Sequence, residues 1–390
     1  MSQIKCLDLA HEYARSKGAV HTATEIAGQP ELWKEIFNLV LEKRQSLGEF
    51  MEPVLRKNDL RVILTGAGSS AFIGNAIQGI FQSETNKITQ AIATTDLVTH
   101  PAQFFIKNIP TLLVSFARSG NSPESIETIN LANAYCDEVF HLIITCNESG
   151  YLIQNNDHHN SYIFILPKTA NDKGLAMTGS FTSMLLSIML IAKLSHIDKL
   201  ETSFQNMVRN ANLLLNDYLI GIKSTVKRRY ERIIFLGSGP MLGIARECQL
   251  KLQELSDGKV ICKYDSFLGF RHGPRVVTNG KSLIVYLFSN DEHVFQYEKD
   301  LATAIETESP ELPIVCFGRT ISQLKNSIIN IEFDGLNSND FYFIPAALIG
   351  QLFGFYESLE LGLEPDNPSV SGTINRVVQG VKIYAAQKTV

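Results

Sequence analysis

The chain has 390 residues, 45% of them hydrophobic and 19% charged, with a formal net charge of −5. One hydrophobic core ordinarily gives way to two at this length, and no stretch has the Pro, Gly or charge bias of a disordered tail, so two folded domains are expected over nearly the whole chain. An acidic chain with no basic run is a poor partner for nucleic acid or an anionic membrane surface; any anion it binds must meet a local trap of neutral donors.

The opening stretch, MSQIKCLDLAHEYARSKG, has no apolar signal core. The most apolar later run, Met184–Leu194, is broken by Ser187 and Lys193 and is too short to span a bilayer, so a cytoplasmic protein is expected. Cys6, Cys136, Cys146, Cys248, Cys262 and Cys316 lie far apart without CxxC spacing and read as reduced, mostly buried thiols. His158 and His159 in NNDHHN have no partner at ligand spacing and read as a solvated loop. No metal and no cofactor are expected.

Self-similarity organises the rest. RVILTGAG at 61–68 sits 171 positions before RIIFLGSG at 232–239, with Arg on Arg and Gly on Gly twice, Thr65 being the one break in the apolar register. The same offset lays TLLVSF (111–116) over SLIVYL (282–287) and HLIIT (141–145) over LPIVC (312–316). These are short continuous apolar runs, as strands buried on both faces require. Helical patterns lie between them, such as Ser122–Ala134, where Ser-Pro-Glu forms a first turn, and Val294–Ile305. The pattern predicts an α/β protein of two tandem, doubly wound parallel-sheet domains. A helical lead-in is expected at 1–50, the first domain at 51–205 and the second at 206–390.

In an open α/β sheet, ligands lie beyond the carboxyl ends of the strands. Two turns there combine Gly with hydroxyls: Gly66-Ala67-Gly68-Ser69-Ser70 and Arg118-Ser119-Gly120-Asn121-Ser122. Gly lets backbone approach a phosphate, Ser hydroxyls and N–H groups donate to it, and Arg118 adds one charge. Gly68, Ser69, Ser70, Arg118, Ser119, Gly120 and Ser122 are therefore the candidate phosphate-binding set. The first turn also fits a GxGxxA dinucleotide pattern, but the acid expected about 20 residues later has only Glu84 as a loose match, so a phosphate monoester suits the two turns better. At the 171 offset Ser70 falls on Met241, Ser119 on Asn290 and Ser122 on His293, with Asp291 and Glu292 in the same turn. The second half has lost the trap, which frees it for other chemistry.

The segment Ile244–Ser256 carries Ile244, Cys248, Leu252 and Leu255 on one stripe, with Glu247, Lys251 and Glu254 beside it. On an average helix this would be a solvated ion-pair stripe. Leaving a Gly turn at a sheet's carboxyl edge, it instead offers a carboxylate with a lysine nearby as a general base. The following loop, Ser266–Arg275, places His272 between Arg271 and Gly273-Pro274, which leave its ring accessible.

These features together resemble the sugar isomerase (SIS) domain family, and its double-domain members that include the isomerase part of glucosamine-6-phosphate synthase. Glu25-Ile26-Ala27-Gly28-Gln29-Pro30 is similar to the EI..QP segment before that isomerase, and Ser119–Ser122 resembles the family's phosphate turn. The resemblance implies phosphate contacts from Ser70, Ser119 and Ser122, and a sugar lined by Leu175 and Ala176 in GLAMTGSFTS. It further implies a proton shuttled between C1 and C2 by Glu254, with Lys251 beside it, and ring opening by His272. In the relatives that histidine reaches into the neighbouring subunit's site, so a homodimer with shared sites is implied.

Two departures bear on the reaction. No glutaminase segment precedes the isomerase part, and the tail Pro368–Arg376 lacks the lysine that forms the synthase's Schiff base, so amino-sugar synthesis is not expected. SFLGFRHGP and DNPSVSGTINRVVQGV most resemble the branch of tagatose-6-phosphate ketose/aldose isomerases and galactosamine-6-phosphate deaminases. The expectation is deamination of galactosamine 6-phosphate. Plain aldose–ketose isomerisation and a non-catalytic sugar-phosphate sensor are the alternatives.

Overall fold

The computed structural model describes residues 6–154, 160–333, 340–378 and 380–384; His158 and His159 lie outside them. The chain packs as two compact units. One comprises Leu32–Asn171, Ser183–Ile197 and Ile374–Val390, the other Met1–Glu31, Asp172–Thr182 and Asp198–Thr373.

The first sheet contains β1 (Arg61–Thr65), β2 (Ile88–Ala91), β3 (Thr111–Ala117), β4 (Val139–Thr145) and β5 (Ser161–Ile165), all parallel, in the order β2-β1-β3-β4-β5. The second contains β6 (Arg232–Gly237), β7 (Ile261–Asp265), β8 (Ser282–Leu287), β9 (Ile314–Gly318) and β10 (Ser327–Glu332), in the order β7-β6-β8-β9-β10. Strand for strand the two sheets share one topology, as the repeat predicts. Every residue of β1, β3, β8 and β9 is buried, which explains their mainly apolar runs: helices cover both faces, so neither side of the pleat shows polar alternation.

The repeat holds in register at its centre. Arg61 pairs with Thr111 and Arg232 with Ser282, both separated by the same 171 positions. It does not run ungapped to the flanking strands. Leu113 pairs with His141, whereas Ile284 pairs with Ile314, so β9 stands two residues beyond the place that the overlay of HLIIT on LPIVC gives. β7 is displaced by two in the same way, Ile261 pairing with Arg232 as Ile88 pairs with Arg61. The connections absorb the change. Asn86 alone is left-handed after the first helix of the first sheet, but Asp257 and Gly258 both are in the counterpart.

Gly66 and Gly237 are required by close approach: an added Cβ would fall 2.6 Å from the Ser70 Cβ and 2.4 Å from the Met241 carbonyl oxygen. Gly68 and Gly239, with φ of +57° and +54°, turn the chain from strand into the helices Ser69–Thr85 and Pro240–Leu255.

In the second-sheet unit, the helix Ala347–Glu360 lies on Pro240–Leu255 so tightly that a Cβ at Gly350 would come within 2.3 Å of the Cys248 Cα. That contact buries Ile244, Cys248, Leu252 and Leu255, the stripe read from sequence. Most of the apolar run Met184–Leu194 falls in the helix Gly179–Ala192 and is core. Among the described residues no helix is long and apolar enough to cross a membrane.

Candidate active site

The phosphate candidates all belong to the first-sheet unit, at the carboxyl ends of β1 and β3. Ser69 and Ser70 are buried in the first turn of the helix Ser69–Thr85, whose N-cap is the exposed Gly68. Ser122 caps the helix Pro123–Tyr135, and neither N-cap is closed by a side-chain hydrogen bond. The second turn is braced from behind: Asn147 Nδ2 donates to the Ser119 carbonyl at 2.7 Å, and Leu152 N to that of Gly120 at 2.9 Å. Gly120, at φ +65°, lies close against Gly150. The turn's carbonyls are thus committed to the neighbouring loop, an arrangement that suits it to present donors on its open side.

Arg118 is buried, and its guanidinium donates to the Arg376 carbonyl, while Arg376 reaches Asn171 Oδ1 at 2.6 Å. Arg376, from the quoted tail, therefore links the phosphate turn to Asn171 within this unit. Below the turns, Thr65, which ends β1, and Ser115, two residues before the end of β3, are register partners; their buried hydroxyls, with that of Thr94, find no hydrogen-bond partner among the described residues. Sequence reasoning saw Thr65 only as a break in an apolar run. A hydroxyl at a strand's carboxyl end was the available signal.

Glu254, Lys251 and His272 belong to the second-sheet unit. On the helix Pro240–Leu255, Lys251 Nζ lies 2.5 Å from Glu254 and 3.5 Å from Glu247. Glu247 and Lys251 are buried, and the Glu254 side chain is 22% exposed. A stripe that on most helices is solvated is here folded inward: a buried ammonium is costly unless paired, and the two carboxylates meet that need. Glu254 is left with one oxygen on lysine and its outer side open. Glu247, named in the stripe but given no role, is the buried member that holds the lysine from behind.

His272 is exposed on the loop after the short helix Phe267–Phe270, whose N-cap Ser266 accepts from Gly269 N at 2.9 Å. Its neighbour Arg271 pairs with Asp300 at 2.7 Å, and Leu268 and Val276 beside it are exposed apolar residues. Leu175 and Ala176 are buried in a loop opening the helix Gly179–Ala192.

Two parallel five-stranded sheets of one strand order define a tandem α/β fold. The chain belongs to the SIS domain family, whose model matches residues 54–194. It is 38% identical over 374 residues to the D-galactosamine-6-phosphate deaminase AgaS of Escherichia coli, covering 94% of this chain and 96% of that protein. The crystal structure of the tagatose-6-phosphate ketose/aldose isomerase from Escherichia coli superposes with a TM-score of 0.84 at 35% identity, over 94% of this chain and 96% of that one. A solved Clostridium novyi structure matches with a TM-score of 0.93 at 37% identity, over 98% and 99% of the two chains.

Proposed function

We propose that this protein deaminates galactosamine 6-phosphate, giving tagatose 6-phosphate and ammonia. The observation that carries the chemistry is the buried Lys251 held between Glu247 and Glu254, which leaves one carboxylate partly exposed as a base. The likeness to the E. coli deaminase over nearly the full length supports the substrate.

The roles follow from the groups. Ser70, Ser119 and Ser122, with the adjoining backbone of Gly68, Ser69 and Gly120, hold the phosphate; Arg118 offsets part of its charge. His272 assists ring opening. Glu254 removes the C2 proton of the open-chain amino aldehyde, the electrons pass through C2–C1 to the aldehyde oxygen, that oxygen takes a proton from solvent, and an enolamine results. The same carboxyl returns the proton to C1, giving a protonated ketimine at C2. Water adds there and ammonia departs, so the only proton moved between carbons stays on one residue. Binding energy from the remote phosphate aligns C1 and C2.

The exposed His272, flanked by Leu268 and Val276, supports a homodimer in which that loop serves the neighbouring copy's site. Six free thiols suit a reducing cytoplasm. An ammonia-coupled assay with purified protein tests the reaction: galactosamine 6-phosphate releases ammonia, and glucosamine 6-phosphate does so less efficiently. Interconversion of tagatose 6-phosphate with its aldose, and no ammonia from the amino sugar, would establish simple isomerisation, the activity in the name of the E. coli structural relative.

A further inference from the structure

One group of carboxyls, the buried Asp172 with the half-buried Glu25 and Asp366, has no part in that chemistry. It surrounds the loop that carries Leu175 and Ala176, and all of it lies in the second-sheet unit. Three successive backbone N–H groups of that loop are taken by residues remote in sequence. Lys173 N donates to Glu25 Oε1 at 2.5 Å, Gly174 N reaches the same carboxyl at 3.3 and 3.4 Å, and Leu175 N donates to the Asp366 carbonyl at 2.9 Å.

The other end of the loop is closed by Asp172. Its carboxylate accepts from Thr178 N and Oγ1, from Gly179 N, and from Ser180 N and Oγ, at 2.5 to 3.0 Å. Asp366 accepts from His21 N and Thr22 N, at the start of the same helix that carries Glu25. Gly174 fits because it has no side chain: a Cβ would stand 2.9 Å from Thr22 Oγ1 and 3.1 Å from Glu25 Oε2.

Such a cluster is costly to keep. Burial, and the charge of Asp172 beside it, push the Glu25 carboxyl up to about 7. An apolar helix contact at that position would hold the helix without that penalty, but would take the side-chain acceptor from the N–H of the buried Gly174.

We infer that Glu25 is a positioning residue for the sugar end of the substrate, fixing the 173–174 backbone and thereby the place of Leu175 and Ala176. This rests on the reading of Leu175 and Ala176 as sugar-lining. The EI..QP segment, so far only a mark of resemblance, thereby acquires a physical role. Glu25 grips the loop, while Gln29 accepts from Thr182 Oγ1 at 2.6 Å and donates to Gln351 at 2.5 Å.

The test compares Glu25→Ala with Glu25→Gln in the full-length enzyme. In Glu25→Ala, KM for galactosamine 6-phosphate rises about tenfold, the scale of one lost charge-assisted hydrogen bond, while kcat and the Ki of inorganic phosphate stay within about twofold. Glu25→Gln, whose amide oxygen still accepts from both N–H groups, recovers KM to within about threefold of the parent. Gly174→Ala, which presses on Glu25 and Thr22 from the loop side, gives the same KM-selective loss and serves if Glu25→Ala does not fold.

An unchanged KM in Glu25→Ala and Gly174→Ala overturns the inference. So does a phosphate Ki that rises in parallel with KM, the signature of a general structural loss. Should the parent enzyme release no ammonia, the reaction assignment fails alone; calorimetric affinities for galactosamine 6-phosphate and inorganic phosphate then decide Glu25, and an unaltered ratio between them sinks it.

Discussion

At the carboxyl ends of their central strands the two sheets carry opposite chemistry on the same scaffold. In the first, register partners Thr65 and Ser115 are small and hydroxylated; in the second, the equivalent partners are Leu236 and Tyr286. Tyr286, Phe267 and Phe288 form a buried cluster of aromatic rings with centroids 5.4 to 5.6 Å apart.

The turns diverge in the same sense. Ser122 leaves its helix N-terminus without a side-chain cap, whereas Asp291 caps the helix Glu292–Glu308 by accepting from Val294 N at 3.1 Å. The buried Glu298 accepts from Ser289 N at 2.8 Å, and Arg319 pairs with Glu292 and the Asn290 carbonyl. A helix N-terminus and turn amides favour negative charge wherever they occur. The second unit satisfies such donors with its own carboxylates, Asp291 and Glu298, whereas the Ser122 N-cap of the first makes no side-chain hydrogen bond to its helix. The two sheets thus share a topology but not the residues at their strand ends.

The largest effect expected is at the base. Glu254→Gln keeps the size of the side chain but removes its proton affinity, and kcat falls by about 10²-fold or more while inorganic phosphate still competes with the parent Ki. Steady-state rates and inhibition constants check this, and substantial retained turnover removes Glu254 from the mechanism.

Next comes the contrast between the turns. Ser119→Ala raises KM for the sugar phosphate about tenfold, whereas Asn290→Ala, at the equivalent position of the twin turn, leaves it within about twofold. Equal responses from the two would abolish the asymmetry on which the phosphate assignment stands.

The smallest effect is on stability. Burial first, against the hydrogen bond from Ser289, pushes the Glu298 carboxyl up from 4.5 to about 7. The folded state therefore keeps a proton that the unfolded chain gives up, and that contribution is complete below about pH 4.5 and lost as pH rises to about 7. Burial also raises Glu25 and Glu357 to about 7, with the same sign. Melting temperature should decline across that window and then level, and Glu298→Gln, which cannot ionise, should make the decline shallower. An unaltered slope in the variant would show that Glu298 does not titrate as an internal anion.

Much of the candidate site was legible because its signals are local. Gly beside Ser at the end of an apolar run marks a strand-to-helix turn, and Glu247, Lys251 and Glu254 fall on one face by helical spacing alone. The Glu25 grip was not legible: its partners Lys173 and Gly174 lie 148 and 149 residues away, and no periodicity links them. Glu298, likewise, looks like any acid on an amphipathic helix until burial is known.

By itself the sequence determined the repeat, the parallel strands and the Gly-Ser turns, since these follow from apolar runs, residue spacing and backbone sterics within a few neighbours. Only the tertiary structure decided that β7 and β9 slip by two residues, that Lys251 is buried between its carboxylates, and which acids serve as internal ligands. Strand register, desolvation and hydrogen bonding across more than a hundred residues depend on what the folded chain brings together, and no local stretch contains that information.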